Sequence, residues 1–423
     1  MAAAGEKPNV LILGGKFFKM KWLYTAYTAI AEGVKYVKFS YFCFPIPLLC
    51  CKGKPICLFI VYLIVYLIVY VFISGVGFIG RNLVNYLVKN DLANKIRVAD
   101  KVPPTMAWLN DEQKAAFEKV EFKQANLIQE SRVENVFTDE KPFDFVINLA
   151  AETKYGQEES IYEDGVYRLS VTCARQAAKL KTKRYVELSS GQMLSHNCYP
   201  ELNILLIHKN ITHYQCSAFA EDSLKLDPWT LVARSKLKVE QELSIIEGLN
   251  YVIIRPAIVY GIGDKLGITP RLVVGAIYKH IKEKMKMLWT KDLKMNTVHV
   301  EDVVRGIWHL CSHGNSGEVY HLVDRNETTQ GNVSDLVCAI FNIKHDYVGS
   351  LVSNMARLNM SGVVDDINDK HLLPWAELCQ EKHIANSPLT PYLDQEFANP
   401  HNLWIVGTPP DQMLLICVHS SKW

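Results

Sequence analysis

The sequence predicts an α/β fold, a doubly wound parallel sheet followed by a smaller C-terminal lobe. Three observations carry this. Short apolar runs alternate with helix-period segments from about residue 75 to residue 261, the pattern of repeated strand–helix units. A glycine-rich turn, Gly75-Val76-Gly77-Phe78-Ile79-Gly80, ends one apolar run and opens a helical one. The strand that follows ends on an acid, Asp100. Composition agrees: 423 residues, 49% hydrophobic and 21% charged, suit a large globular unit. A formal net charge of +2 gives no cause to expect a nucleic-acid partner.

The elements follow in order. Residues 9–15 read NVLILGG, a short apolar β run ending on Gly14 and Gly15. Residues 16–74 then break the pattern, being basic and aromatic at first and uncharged from Ile56 to Ile73. After the glycine turn, Phe78, Ile79, Leu83, Val84, Leu87 and Val88 have helical spacing. Strands are predicted over 96–100, 120–122, 143–149, 184–189 and 251–256, and helices over 162–180 and 230–248. A second atypical stretch, 196–218, precedes the latter helix. Residues 1–261 form the predicted sheet domain, 262–399 the substrate lobe, and 400–423 stay unassigned. The cysteines lack zinc spacing and read as reduced thiols of a cytoplasmic protein. Residues 1–8 lack the apolar core of a signal peptide.

The uncharged run admits three readings. It meets the length rule for a membrane span or anchor, which would make the protein membrane-associated. A single span, however, would leave the ends of the interruption on opposite sides of a bilayer. Alternatively, residues 65–74 are themselves the first strand, leaving 1–55 as an extension. Or 16–74 is foreign to the fold, and skipping it joins Gly14 and Gly15 to the rest of the turn.

The turn has the G-x-G-x-x-G spacing of a Rossmann-type dinucleotide site. Glycines allow the backbone close to a pyrophosphate, and the helix N-terminus supplies N–H donors and partial positive charge. Asp100 stands where a carboxylate accepts hydrogen bonds from the ribose hydroxyls of NAD. It would repel a 2′-phosphate, although Lys101 beside it keeps NADP open. Asn126, after the third strand, suits either an adenine edge or a loop cap.

These blocks resemble the extended short-chain dehydrogenase/reductase superfamily, the NAD-dependent epimerase/dehydratase group. The resemblance covers 9–15 and about 74–324 through GGVGFIG, DFVINLAAET, YVELSSGQ, RPAIVYGIGD, MNTVHVEDVVRGI and GEVYHLVD in order. It implies a small-molecule substrate, either a sugar nucleotide or another alcohol or carbonyl compound, and often a homodimer. It implies cofactor contacts from Ala150, Pro256 and Lys236. In this family a tyrosine moves a proton, a lysine four residues on assists it, and a Ser or Thr hydroxyl polarises the substrate oxygen. Ser190 matches the hydroxyl and Lys236 the lysine. The position four before Lys236 is Val232, so the tyrosine is absent. Valine cannot move a proton, and a non-catalytic NAD(H)-binding protein is the rival expectation. The one literal Tyr-x-x-x-Lys, Tyr278 to Lys282, lies in the wrong block and is expected on a surface helix. Tyr199 and Tyr214 are further phenols before Val232. His299 is expected to be structural.

Overall fold

The protein is represented by a computed structural model that describes residues 69–73, 75–139, 142–194, 226, 228–326 and 328–394. In chain order the strands are β1 (Val69–Ile73), β2 (Lys95–Asp100), β3 (Glu121–Gln124), β4 (Phe145–Asn148), β5 (Arg184–Leu188), β6 (Tyr251–Pro256), β7 (Ile258–Tyr260), β8 (Met285–Met287), β9 (Thr297–His299), β10 (Val319–Leu322) and β11 (His345–Tyr347). The α-helices are α1 (Phe78–Lys89), α2 (Asp111–Phe117), α3 (Glu130–Phe137), α4 (Glu159–Tyr162), α5 (Leu169–Lys179), α6 (Leu231–Leu243), α7 (Thr269–Ile281), α8 (Val300–His313), α9 (Gln330–Phe341), α10 (Ser350–Leu358) and α11 (Met360–Glu381).

Seven strands form one sheet in the order β10-β6-β5-β4-β1-β2-β3, and every pairing is parallel. Parallel strands need helical crossovers, so both faces are covered and the strands are apolar on both sides. On one face Val98, Ile147, Val186, Val252 and Ile254 pack with Leu83, Val84 and Leu87 of α1 and with Val303, Ile307 and Leu310 of α8. On the other, Val146, Tyr185 and Ile253 pack with Val136 of α3, Ala174 of α5 and Val239 of α6. This is the doubly wound α/β architecture that the alternating pattern predicts. Strand order reverses at β1, between β2 and β4, and in such sheets ligands bind outside the C-terminal strand ends at that point.

The last five residues of the uncharged run find their place here. The slot between β2 and β4 that residues 9–13 would take is filled by Val69–Ile73, in register with Lys95–Ala99 on one side and Phe145–Asn148 on the other. The reading with a strand running straight into the contiguous glycine turn therefore describes residues 69–73. A strand hydrogen-bonded on both edges is not part of a membrane span. No helix among the described residues is long and apolar enough to cross a membrane. Gly14, Gly15 and residues 16–68 lie outside the described residues, as do the stretch 196–218 with Tyr199 and Tyr214, and the tail 400–423.

Beyond residue 262 the chain contributes both to the sheet and to a smaller cluster. β10 adds to the sheet edge beside β6. α7, β8 and α9 share a separate core of Ile268, Tyr278, Met285, Val333, Val337 and Cys338. Tyr278 is thus buried rather than on a surface face, stacked edge-on against His371. The expected surface placement fails because Tyr278 lies on the stripe of α7 that covers this second core.

Candidate cofactor and substrate site

The glycine turn runs from β1 into α1. A Cβ on Gly75 would stand 1.9 Å from Val98 Cγ1, so only glycine lets the turn lie against β2. Gly77 is the extended N-cap of α1, and neither a side-chain cap nor an acid in the first turn occupies the helix N-terminus. Its first N–H groups therefore remain available to an anion. Phe78 and Ile79 open the helix half-buried, and Gly80 is buried. The buried Asp100 closes the arrangement: its Oδ2 accepts the Val76 N–H at 3.3 Å and its Oδ1 accepts the Val102 N–H at 3.0 Å. A carboxylate at the end of β2 is thereby held against the turn, where the expected ribose would meet it.

Arg81 has no assigned role in the sequence reading, although a cation directly after the third glycine is a signal. Its buried guanidinium donates to Trp108 O at 2.5 Å and Gly263 O at 2.8 Å, and Asn82 Nδ2 donates to Ile262 O at 3.0 Å. The first turn of α1 is thus tied to the loop after β7. Gly263 has φ +97°, and a Cβ there would meet Arg81 Nη2 at 2.7 Å. Asp264 organises that loop, its carboxylate accepting the N–H groups of Leu266, Gly267, Ile268 and Thr269 at 2.7–3.0 Å.

At the end of β4, Asn148 Oδ1 accepts the Ala150 N–H at 3.1 Å and so turns the chain beside the crevice. The following loop is pinned repeatedly. The Glu152 N–H reaches the carbonyl of Gly165 at 3.1 Å. Gly165 lies in a π-helical segment, Glu163–Arg168, between α4 and α5. The buried Tyr162 hydroxyl donates to Lys154 O at 2.7 Å and accepts the Gln157 N–H at 3.2 Å. The sequence shows a helix over 162–180 but not this widened turn, because π geometry has no period of its own to read.

Behind β4 and β5 lies a buried polar network. Glu187, fully buried on β5, accepts from Asn148 Nδ2 (2.7 Å), Tyr185 Oη (2.9 Å), Ser170 Oγ (3.1 Å) and Lys236 Nζ (3.0 Å). Lys236 also donates to Leu188 O at 2.6 Å, so two of its three N–H donors are used among the described residues. Glu187 likewise has no role in the sequence reading. The signal was an acid inside an otherwise buried strand, where an unpaired charge is prohibitive. One turn before Lys236, Val232 is buried in the hydrophobic core beneath that face of the sheet.

Ser190 follows β5, half-buried, its Oγ accepting the Gln192 N–H at 3.2 Å. Gln192 Nε2 donates to the Tyr155 hydroxyl at 2.7 Å, and its Oε1 accepts from Thr230 Oγ1 at 3.1 Å. Thr230 is the N-cap of α6, the helix that carries Lys236. Pro256 is buried at the end of β6. The structure thus brings the turn, Asp100, Ala150, Ser190, Lys236 and Pro256 to the C-terminal ends of adjacent strands. Asn126 is exposed beyond β3, its Oδ1 accepting the Ile128 N–H at 3.3 Å, which is the geometry of a loop cap. His299 is the N-cap of α8, with Nδ1 accepting the Glu301 N–H at 3.4 Å, a structural position. It also packs edge-on against Tyr260. Burial, reinforced by Asp324, pushes the Tyr260 hydroxyl well above the ordinary range.

Residues 71–323 match the NAD dependent epimerase/dehydratase family, over more than half of the chain. The chain belongs to that family. No curated protein sequence matches it. Among solved structures, the dTDP-glucose 4,6-dehydratase DesIV of Streptomyces venezuelae, with NAD and TYD bound, is similar at a TM-score of 0.54 and 17% identity. That match covers 66% of this chain and 84% of DesIV. The UDP-glucose 4-epimerase of Thermotoga maritima, with UDP-glucose, is similar at a TM-score of 0.52 and 20% identity, covering 66% and 86%. The dTDP-glucose 4,6-dehydratase of Bacillus anthracis, in complex with NAD, scores 0.54 at 19% identity, covering 67% and 85%. At such identities the likeness carries the fold. Against the epimerase/dehydratase pattern as read from the sequence, this member keeps the serine and the lysine and has Val232 where the tyrosine would stand.

Proposed function

We propose that this member of the epimerase/dehydratase family binds NAD and uses it on an alcohol or carbonyl group of a sugar nucleotide. The observation that carries the reading is the Asp100 carboxylate bonded to the Val76 N–H beside an uncapped helix N-terminus. The residues fit the cofactor. Gly75, Gly77, Phe78, Ile79 and Gly80 would hold the pyrophosphate, and Asp100 the adenosine ribose. Ala150 and Pro256 would flank the far half, and Lys236 would hold the second ribose. When bound, NAD supplies a hydride acceptor. Ser190 would donate a hydrogen bond to the substrate oxygen. We propose NAD over NADP because a carboxylate at position 100 repels a 2′-phosphate. The substrate class is supported by DesIV, which holds NAD and TYD, and by the Thermotoga enzyme, which holds UDP-glucose. The buried free thiols Cys173, Cys311 and Cys338 suit a cytoplasmic setting.

Calorimetric titration of the full chain with NAD tests the cofactor. Asp100→Ala is expected to weaken binding at least about tenfold, or about 1.4 kcal/mol. Full chain that is folded yet takes up no NAD would refute the reading. Val232 favours a second reading, NAD(H) binding without turnover. On that reading Val232→Tyr is the change to examine, and steady NADH production by the parent chain with any sugar nucleotide removes it.

A further inference from the structure

Val232 has no ionisable proton and is packed into the core, so a catalytic chain needs its phenol elsewhere. We infer that Tyr155 is the catalytic tyrosine, exchanging a proton with the substrate oxygen beside Ser190. This rests on the reading of the chain as an enzyme. Three observations point to Tyr155. Its hydroxyl accepts the Gln192 Nε2 hydrogen bond at 2.7 Å, and the backbone N–H of the same Gln192 donates to Ser190 Oγ at 3.2 Å. Gln192 also accepts from the N-cap Thr230, so its side chain ties the phenol to the helix of Lys236 while its backbone N–H holds the serine. Second, the loop that carries Tyr155 leaves the C-terminal end of β4, on the crevice side. It is held by Tyr162 at Lys154 and Gln157 and by Gly165 at Glu152. Such pinning orients a side chain before substrate arrives. Third, Tyr155 is half-buried, open enough for substrate contact, whereas burial and Asp324 hold Tyr260 in its protonated form.

The chemistry balances. In the oxidising direction Tyr155, having released its own proton to solvent, takes the proton of the substrate hydroxyl as that O–H bond breaks. Bound NAD, which the glycine turn and Asp100 would hold, would supply the acceptor for the hydrogen and electron pair of the adjacent C–H bond, so that a carbonyl remains. Reduction returns both. A hydrogen bond donated by Gln192 stabilises the negative charge on the phenol oxygen between these events.

Two measurements on the full chain separate failure of this inference from failure of the functional reading. The first needs no turnover: tyrosinate absorbance is followed against pH with NAD present, for the parent and for Tyr155→Phe. The expected result is an early ionisation step, ahead of the bulk tyrosines, that the variant lacks. Identical titrations overturn the inference even if NAD binds normally. The second is turnover with UDP-glucose or dTDP-glucose as probe. Tyr155→Phe is expected to lower kcat at least about 100-fold while KM and NAD affinity stay nearly unchanged. A variant within about tenfold of the parent overturns it, as does one that also loses NAD binding, which would make the role structural. If the parent binds NAD and turns over nothing, the enzyme reading falls, and the inference falls with it.

Discussion

Replacing Lys236 with Met examines the buried network and the cofactor site together. The Lys236 side chain is 4% exposed, and its ammonium pairs with the fully buried Glu187 at 3.0 Å. Removing one member of a buried ion pair costs about 3–5 kcal/mol, because the other charge is left uncompensated. Glu187 would keep three neutral donors, from Asn148, Tyr185 and Ser170, which places the expected loss near the lower end, about 3 kcal/mol. Unfolding entropy of about 2.1 cal/mol/K per residue gives roughly 0.7 kcal/mol/K for a unit of this size, so the melting temperature should fall by about 4 °C. Glu187→Gln in the Lys236→Met background removes the orphaned charge while keeping an amide that can bond to its neighbours. The double variant should recover about half of the loss or more, and a double-mutant cycle isolates that coupling. Calorimetry of the four proteins is the assay. A Lys236→Met chain melting within about 1 °C of the parent, with no coupling in the cycle, would refute the reasoning. The loss of NAD affinity expected of Lys236→Met is measured separately and is not expected from Glu187→Gln.

Gly75→Ala forces a methyl against Val98 Cγ1 and is expected to cost at least the 1–3 kcal/mol typical of overpacking and to abolish NAD binding. Adding Val98→Ala should restore most of the stability, and a melt showing no such rescue would count against the contact. Asp264→Ala removes an acceptor for four backbone N–H groups and should lower stability by about 2 kcal/mol or more, read as an earlier urea midpoint with unchanged slope. Burial raises the Asp324 carboxyl above its ordinary 3.8. The folded chain therefore keeps a proton that the unfolded chain has released, and stability falls as pH rises from about 4 through the raised value. Asp324→Asn should flatten that part of a stability–pH curve; a slope that persists would assign it to other groups.

The sequence by itself determined the alternation of strands and helices, the place of Gly77 and Gly80 in the glycine turn and the acid that closes it at Asp100. Each is a local matter: periodicities of 2 and 3.6, a backbone that must lack a Cβ, and one helix and one strand between turn and acid. Only the tertiary structure decided which apolar run is the first strand. Residues 9–13 and 69–73 are both acceptable strands in isolation, and pairing with β2 and β4 selects Val69–Ile73. It also decided the company of each polar residue. Glu187 reads as an anomaly until Lys236, Asn148 and Ser170 close around it. Tyr155 reads as one loop aromatic among many until Gln192 ties it to Ser190. Most of these contacts join residues 17 to 49 positions apart, and hydrogen bonds across that separation leave no pattern in the spacing of the chain.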